Sequence, residues 1–245
     1  MTNTCTVCGS KNFDPSKLTA EQESIKQNVP DELPYQACRR CGLWIQFPPP
    51  PPFQYEADDE VNPRKESIQE EKGHYEWLAK RLAGSYRPKS VLDIGSSYPF
   101  LLHFLHHTHK VPKVLGIDGC GMTEEYAKEL KVDAIQADFM KHDFGSEKYD
   151  LISMVHVIEH FHNPVPAVWK MKKLLNPGGV LFIRTPLNDT KGLTSWHLTA
   201  FHFQVHPIIF SQRALKMLFQ TAGFETINES VGNGIGHGDY DFRAR

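Results

Sequence analysis

From Ser90 onward, short hydrophobic runs alternate with stretches in which apolar residues recur at helical spacing. The runs read as buried strands and the stretches between them as helices. The predicted strands are 91–94, 114–117, 134–137, 149–155, 179–185 and 224–229, and the predicted helices are 100–107, 124–130, 165–175 and 211–222. This alternation predicts an α/β fold with a doubly wound, Rossmann-like, mostly parallel sheet. Ligands of such sheets bind beyond the carboxyl ends of the strands, so functional side chains are expected there.

The first part of the chain lacks this alternation and carries two CxxC pairs, each followed by glycine. Two intervening residues let both sulfurs of a pair reach one metal ion, which is the spacing of a zinc ribbon. Redox dithiols or free thiols are the alternative, but a redox CxxC needs a thioredoxin-like strand and helix that this polar segment lacks. The sequence therefore predicts a structural zinc ion held by Cys5, Cys8, Cys38 and Cys41.

A run of prolines over 48–52 follows this segment and predicts a stiff, extended spacer. The predicted organisation is a zinc-ribbon module over 1–47, a proline-rich linker and lead-in over 48–72, and a catalytic domain over 73–245. Helical spacing of apolar residues predicts that the last region opens with a helix from Gly73 to about Ala83. Alternating residues over 239–244 predict a short antiparallel closing strand.

Composition and charge narrow the class of protein. The chain has 245 residues, 40% of them hydrophobic, and its net charge is −2, so it is expected to fold and lacks the global basic field of a nucleic-acid binder. Residues 1–10 lack the features of a signal peptide, and no apolar run is long enough to span a bilayer. A cytoplasmic protein with no membrane partner is expected, in which thiols persist or bind metal.

Three predicted strands end in residues suited to an adenosine-containing cofactor. Asp93 is followed by a loop with Gly95, which permits close backbone approach, and the next strand ends in Asp118, whose carboxylate can accept both hydroxyls of a ribose. Asp138 ends the third strand, where it could accept a hydrogen bond from an adenine amino group with Phe139 against the ring. The GxGxxG run of a dinucleotide site is absent.

Together these motifs resemble the class I S-adenosylmethionine-dependent methyltransferases, with DIGSS as the glycine loop and LLNPGGVLFI as the characteristic hairpin and strand. The resemblance covers about 75–229 and implies a seven-stranded sheet that binds S-adenosylmethionine. The implied cofactor residues are Asp93, Gly95, Ser96, Tyr98, Asp118, Gly119, Asp138, Phe139 and Met154. Family loops commonly read D-x-G-x-G, and here Ser97 replaces the last glycine, so its side chain is expected to narrow the loop.

Several proton-active side chains follow the fourth predicted strand, in the run MVHVIEHFHNP. Methyl transfer requires an acceptor to be positioned and deprotonated, and imidazole suits the second task because it titrates near neutrality. The run resembles the I-E-H-x-x-x-P signature of small-molecule methyltransferases, including sugar C-methyltransferases with an amino-terminal four-cysteine module. The resemblance implies a catalytic set of His160 as base or orienter, Glu159 as its partner or an acceptor ligand, and His156. The structural alternative is a helix-capping Glu159 and a partly buried His160.

A second resemblance, to the ubiquinone-pathway O-methyltransferases, implies a divalent-ion triad at His156, Glu159 and His160. Because His156 stands where the family has an acid, Mg²⁺ is disfavoured but stays open. Tyr55, His197 and His206 are further candidates for the acceptor pocket, since the segments that carry them are expected to cover the acceptor.

The sequence thus predicts a methyltransferase acting on a small polar acceptor, such as a sugar, a sugar nucleotide or a related metabolite, with C- or O-methylation left open. Balanced charge in the cysteine-containing segment disfavours the alternative of an RNA methyltransferase whose ribbon docks nucleic acid. A further alternative is an inactive methyltransferase fold that serves as a binding protein. The sequence does not indicate the oligomeric state.

Overall fold

The computed structural model of the protein describes residues 4–15, 35–49, 65–119, 123–189, 206–231 and 237–244, with the backbone alone for 65–70. Its strands are β1 (Phe13–Pro15), β2 (Tyr35–Cys38), β3 (Trp44–Gln46), β4 (Ser90–Ile94), β5 (Lys113–Asp118), β6 (Asp133–Gln136), β7 (Tyr149–Val155), β8 (Leu175–Pro186), β9 (Ile208–Ile209), β10 (Phe224–Val231) and β11 (His237–Ala244). Its α-helices are α1 (Lys65–Tyr86), α2 (Phe100–His103), α3 (Thr123–Leu130), α4 (Val165–Leu174) and α5 (Gln212–Thr221). A π-helical turn (Phe104–Thr108) continues α2, and a 3₁₀ turn (Ile158–His160) follows β7.

The larger sheet has seven strands in the order β10-β11-β8-β7-β4-β5-β6. Strands β7, β4, β5 and β6 pair in parallel, and β10 pairs with β11 in antiparallel fashion. This topology confirms the predicted α/β fold with a mostly parallel, seven-stranded sheet. The predicted closing strand is present as β11, which is longer than expected.

The contacts divide the chain into two compact units. We call residues 54–155 and 170–182 the sheet unit, and residues 1–53, 156–169 and 183–245 the cysteine unit. No helix in the described ranges combines the length and the apolar character that a membrane span requires.

The sheet unit is built around β4, in which all five residues are buried. A parallel strand with neighbours on both sides and both faces covered is expected to be uniformly apolar, as Val91 and Leu92 are. Helix α1 adds the buried side chains of Leu78 and Leu82 to this core. The helix begins at Lys65, inside the range predicted as lead-in. The prediction placed its start too late because the residues of the first turns favour helix but lack apolar periodicity.

The cysteine unit contains a second sheet in the order β1-β2-β3-β9. Strand β3 pairs with β9 in antiparallel register, with Trp44 opposite Ile209 and Ile45 opposite Ile208. The cysteine-containing segment therefore groups with residues from the last quarter of the chain and not by itself. The predicted boundaries near residues 47 and 72 stay a prediction, and the contact-based units do not follow them.

Candidate cofactor and acceptor site

The glycine loop after β4 makes a tight turn. Gly95 has a φ of +75° and Ser97 a φ of +41°, so both lie in the left-handed region that favours glycine. The backbone N–H of Ser97 donates to Oδ2 of Asp118 at 2.7 Å, and that of Gly95 donates to the carbonyl of Ile117 at 2.8 Å. Ser97 thus adopts the backbone conformation of the glycine that it replaces, and the loop is joined to the end of β5.

Ser96 packs into a space that only glycine leaves open. A Cβ atom on Gly116 would lie 2.5 Å from Oγ of Ser96, which explains why β5 carries a glycine at that position. The Ser96 hydroxyl is buried and has no hydrogen-bond partner among the described residues. A buried hydroxyl without a partner is suited to a ligand that supplies one. The sequence analysis missed Gly116, although a glycine inside a predicted strand is a signal of close approach.

Asp93 is buried in strand β4, two residues before Gly95. Its Oδ1 accepts a hydrogen bond from Oγ of Ser153 at 2.6 Å. Burial raises the pKa of Asp93 to about 7; the Ser153 hydrogen bond opposes that shift, and the charge of Asp118 adds to it. The Asp93 carboxyl therefore takes up a proton at a much higher pH than a free aspartate does, and Ser153, which was not among the predicted site residues, donates a hydrogen bond to it.

The predicted adenine residues form a turn beyond β6. Strand β6 ends before Asp138, whose Oδ1 accepts from the backbone N–H of Met140 at 2.8 Å and whose Oδ2 lies 3.3 Å from Nζ of Lys141. The ring of Phe139 is buried, and Nζ of Lys170 lies 5.1 Å from its centroid. Asp138 and Phe139 therefore lie in a turn just beyond the strand, and their contact with adenine stays a prediction.

The remaining predicted cofactor residues lie in different surroundings. The buried ring of Tyr98 lies 4.6 Å from the rings of both Phe100 and Tyr126, measured between centroids. Gly119 follows β5 and is half-buried, and Met154 is buried near the end of β7. The structure therefore brings Asp93, Ser97 and Asp118 together, while Tyr98 packs into an aromatic cluster.

The backbone at His156, directly after β7, is left-handed, with a φ of +54°. A residue other than glycine in that region is uncommon and concentrates at functional sites. The His156 N–H donates to the carbonyl of Arg184 at 2.9 Å, and its Nδ1 lies 3.5 Å from Oε1 of Glu159. The sharp turn thus places the imidazole of His156 near the buried carboxylate of Glu159.

Glu159 is fully buried within the 3₁₀ turn, and its Oε2 accepts from Oγ1 of Thr185 at 3.0 Å. Burial by itself would raise the pKa of Glu159. The hydrogen bond and charge of His156, followed by the charges of His206 and His160, outweigh burial and lower this pKa to about 2. Glu159 is therefore an ionised carboxylate among imidazoles and not a helix cap.

His206 joins this group from far along the chain. It is buried, and its ring centroid lies 4.7 Å from that of His160 in an edge-to-face arrangement. Ligand atoms of Glu159, His160 and His206 all lie within 4.8 Å of one another, so the three could hold a metal ion. Two nitrogens and one oxygen suit zinc better than Mg²⁺. This set contains His206 where the ubiquinone-type triad would have His156.

Two contacts of the closing strand were missed by the sequence analysis. The ring of His237 lies 5.4 Å from that of His156, and Asp239 accepts two hydrogen bonds from Arg184, at 2.6 and 2.7 Å. Local patterning carries no signal for either pair, since the partners come from separate strands. The other predicted acceptor residues, Tyr55 and His197, lie outside the described residues.

The four cysteines of the two CxxC pairs come together, and all four sulfurs lie within 4.8 Å of one another. The Cys5–Cys41 and Cys8–Cys38 sulfur distances are 3.6 and 3.5 Å. Four thiolates around a zinc ion with bonds of about 2.3 Å would be separated by about 3.8 Å. The glycine after each pair, Gly9 or Gly42, has a positive φ. The donor set and its geometry fit a zinc ion.

Comparisons with known proteins agree with this geometry. A family model described as a methyltransferase domain matches residues 69–229. The ubiquinone biosynthesis O-methyltransferase of Haemophilus ducreyi is 29% identical over 111 residues, a match that covers 40% of this chain and 45% of that protein. The chain thus spans less than half of that curated relative.

Solved structures show the same fold at low identity. The 1,6-didemethyltoxoflavin-N1-methyltransferase of Burkholderia thailandensis, bound to its substrate and S-adenosylhomocysteine, superposes with a TM-score of 0.56 at 17% identity, covering 74% of this chain and 81% of that one. The plantazolicin methyltransferase BpumL gives 0.57 at 13% identity, covering 76% and 92%.

The fold and the strand-end carboxylates define a class I α/β methyltransferase architecture. The chain belongs to the methyltransferase-domain family.

Proposed function

We propose that the protein transfers a methyl group to a small polar acceptor, namely a sugar, a sugar nucleotide or a related metabolite, by C- or O-methylation. The observation that carries the proposal is the fully buried carboxylate of Glu159, which lies 3.5 Å from Nδ1 of His156 and within 4.8 Å of a ring nitrogen of His160, shortly after strand β7. A buried carboxylate among imidazoles can orient a hydroxyl-bearing acceptor and stabilise the imidazolium formed when its proton is removed.

The sheet unit carries the proposed cofactor residues, which we call the cofactor half. Bound S-adenosylmethionine supplies a methyl group on a positively charged sulfur. Asp118, directed by the Ser97 N–H, is suited to accept the ribose hydroxyls, and the buried Ser96 hydroxyl lacks the partner that a ligand would supply. Gly95 and Gly119 give close backbone approach, Asp138 and Phe139 are placed for the adenine, and Asp93, Tyr98 and Met154 form the surroundings.

The cysteine unit carries the proposed acceptor residues, which we call the acceptor half. In this proposal His160 removes the acceptor proton or orients the acceptor, while Glu159 holds the imidazole and His156 assists. His206, paired with His160, forms part of the pocket wall, and Tyr55 and His197 stay predicted pocket residues. The proton moves from the acceptor to an imidazole nitrogen of His160, which accepts it only in the neutral form of the ring.

We further propose that Cys5, Cys8, Cys38 and Cys41 hold a structural zinc ion. Sulfur distances near those of a zinc tetrathiolate support it. The cytoplasm is the proposed compartment, because thiols persist there. Mg²⁺ is the less favoured ion at the histidine group, whose donors are mostly nitrogen.

Titration calorimetry of the full chain with S-adenosylmethionine tests the proposal, with Asp118→Ala as the matched variant. We expect saturable heat in the wild type and a binding constant at least about tenfold weaker in the variant, because a charged hydrogen-bond acceptor for ribose is lost. Elemental analysis should find one zinc ion per chain, and methyl transfer should be sought with a panel of sugars and sugar nucleotides. Absence of heat at millimolar cofactor would contradict the proposal.

A further inference from the structure

We propose that the four-cysteine segment is a positioning element of the acceptor half, which holds His206 and thereby the His160–His206 pair in place. The segment lies in the same compact unit as these histidines. The inference rests on the proposed function, since that function makes the histidine pair part of an acceptor site.

The most direct link is Tyr35, at the start of β2. Its hydroxyl donates to the backbone carbonyl of His206 at 2.7 Å, and both groups are buried. Burial raises the pKa of Tyr35, so the hydroxyl stays protonated and remains a donor. The ring packs against Trp44 at 6.1 Å between centroids, which limits the freedom of the hydroxyl. Tyr35 therefore fixes the peptide group that carries the buried His206.

A second link is the pairing of β3 with β9. The N–H of Gln46 donates to the carbonyl of Pro207 at 2.9 Å, directly after His206. Residues Ile208 and Ile209 then continue as the edge strand of the cysteine-containing sheet, and both are fully buried. Main-chain hydrogen bonds thus hold the chain on the carboxyl side of His206, as Tyr35 holds His206 itself.

A third link joins the second CxxC turn to the segments that flank His206. The hydroxyl of Ser211 donates to the carbonyl of Cys41 at 2.6 Å, and Nδ2 of Asn188 donates to the carbonyl of Gly42 at 3.0 Å. A Cβ atom on Gly42 would lie 2.9 Å from Oγ of Ser211, so the turn sits directly against that residue. Any change in the shape of the turn must move these carbonyls away from their donors.

These contacts give the cysteine segment a role that its composition did not reveal. Buried hydrogen bonds join this segment to residues on both sides of His206, which is the arrangement expected of an internal support. A zinc ion that holds the second CxxC turn in shape therefore also holds the carbonyl acceptors at Cys41 and Gly42 in place. His206 is held from the carboxyl side by β3, at its own carbonyl by Tyr35, and beyond β9 by the Ser211 contact.

The test is Tyr35→Phe in the full, zinc-loaded chain, which removes the hydroxyl and keeps the ring. Histidine ring signals are followed by ¹H–¹³C NMR and assigned with His160→Gln and His206→Gln variants. We expect the His206 and His160 signals to move by more than their linewidth, while those of His103 and His107, which bond to carbonyls in the sheet unit, stay in place. Affinity for S-adenosylmethionine should stay within about twofold of the wild type.

Tyr149→Phe is the matched control, because it removes a buried tyrosine hydroxyl from the sheet unit. It should leave the His160 and His206 signals unchanged. A second measurement needs no substitution. It uses wild type that holds one zinc ion per chain and in which His206→Gln leaves the zinc content unchanged, so that the ion is bound by the cysteines. When a chelator removes this ion, the His160 and His206 signals are expected to shift or broaden before those of His103 and His107.

Unchanged histidine signals in both Tyr35→Phe and the chelated wild type would overturn the inference. So would a loss of cofactor affinity in Tyr35→Phe as large as that in Asp118→Ala, because the segment would then support the whole fold. A wild type that binds no S-adenosylmethionine would contradict the proposed function, whereas an unresponsive histidine pair in a cofactor-binding protein would contradict this inference alone.

Discussion

Asp93 in the sheet unit and Glu159 in the cysteine unit are both fully buried carboxylates that accept a hydrogen bond from a hydroxyl, yet their pKa values move in opposite directions. Burial raises the pKa of Asp93 to about 7 and Asp118 adds to the shift, whereas imidazoles lower that of Glu159 to about 2. Burial raises the pKa in both cases, so the neighbouring groups decide the direction of the net shift.

The difference separates two kinds of site. A carboxyl whose pKa is raised carries less negative charge beside Asp118 at neutral pH than an ordinary aspartate would. A carboxylate that stays ionised can hold an imidazole and stabilise its charged form. Acid and base roles are commonly assigned where neighbouring environments push pKa values apart. Four variants test this comparison, in order of decreasing expected effect on free energy.

Glu159→Gln is expected to have the largest effect. The native carboxylate stabilises the fold above its ordinary pKa, and that contribution is lost as the pH falls through about 2. At pH 7 the variant should lose about 3 kcal/mol in free energy of unfolding, because the imidazoles that lower the pKa of Glu159 lose their interaction with this buried carboxylate. Chemical denaturation at pH 7 and pH 3.5 measures this. A loss that does not shrink at the lower pH would contradict the assigned ionisation.

Asp93→Asn should act in the opposite direction. Because the folded-state pKa of Asp93 is raised, the wild type loses stability as the pH rises from about 4 to about 7, whereas the amide does not ionise. The variant should be more stable than the wild type at pH 8, on the order of 2 kcal/mol, and close to it at pH 4. Thermal unfolding across this range is the measurement. Equal stabilities at pH 8 would show that Asp93 ionises freely.

Asp118→Asn sharpens the comparison inside the sheet unit. Removing the charge of Asp118 removes one cause of the raised pKa of Asp93, so the pH dependence of stability should move toward lower pH. Affinity for S-adenosylmethionine should fall about tenfold, or about 1.4 kcal/mol, since the amide is a weaker acceptor than the carboxylate. Calorimetry and pH-dependent unfolding of the same variant measure both. A loss of affinity without a change in the pH dependence of stability would show that the charge of Asp118 does not raise the pKa of Asp93.

Ser97→Gly has the smallest expected effect. Glycine adopts the observed left-handed backbone without strain, but the unfolded chain becomes more flexible, so the gain in stability should stay below about 1 kcal/mol. The hydrogen bond from residue 97 to Asp118 is kept, because it uses the backbone N–H. Unfolding and cofactor titration test the variant, with Ser96→Gly as the comparison. A strong loss of affinity would show that the Ser97 side chain contacts the ligand.

Most of the sheet unit could be predicted from local sequence. Each of β4, β5 and β7 is a short apolar run, and its end lies within a residue of the predicted position. Asp118 and Asp138 could be predicted as cofactor residues because ligands bind beyond the strand ends in this fold. The π-helical turn after α2 was not predicted, since the hydrophobic spacing of 100–107 fits an ordinary helix.

The acceptor half was only partly predictable. Glu159, His160 and His156 are adjacent in sequence, and a run of titratable residues after a strand is a recognisable signal. His206 lay among several histidines of equal interest, and only its ring contact with His160 separates it from them. His237 and Ser153 carried no signal, because their significance depends on partners in other strands.

By itself the sequence determined the order of strands and helices, the glycine loop and the carboxylates near the strand ends, and four cysteines at zinc-ligand spacing. These follow from periodicity and from residues that are close along the chain. Only the tertiary structure decided that the cysteine segment pairs with β9, that His206 lies beside His160 and Glu159, and that the pKa values of two buried carboxyl groups move in opposite directions. The reason is physical: these properties arise from contacts between distant segments, and neither strand pairing across the chain nor local electrostatics is encoded in a local pattern.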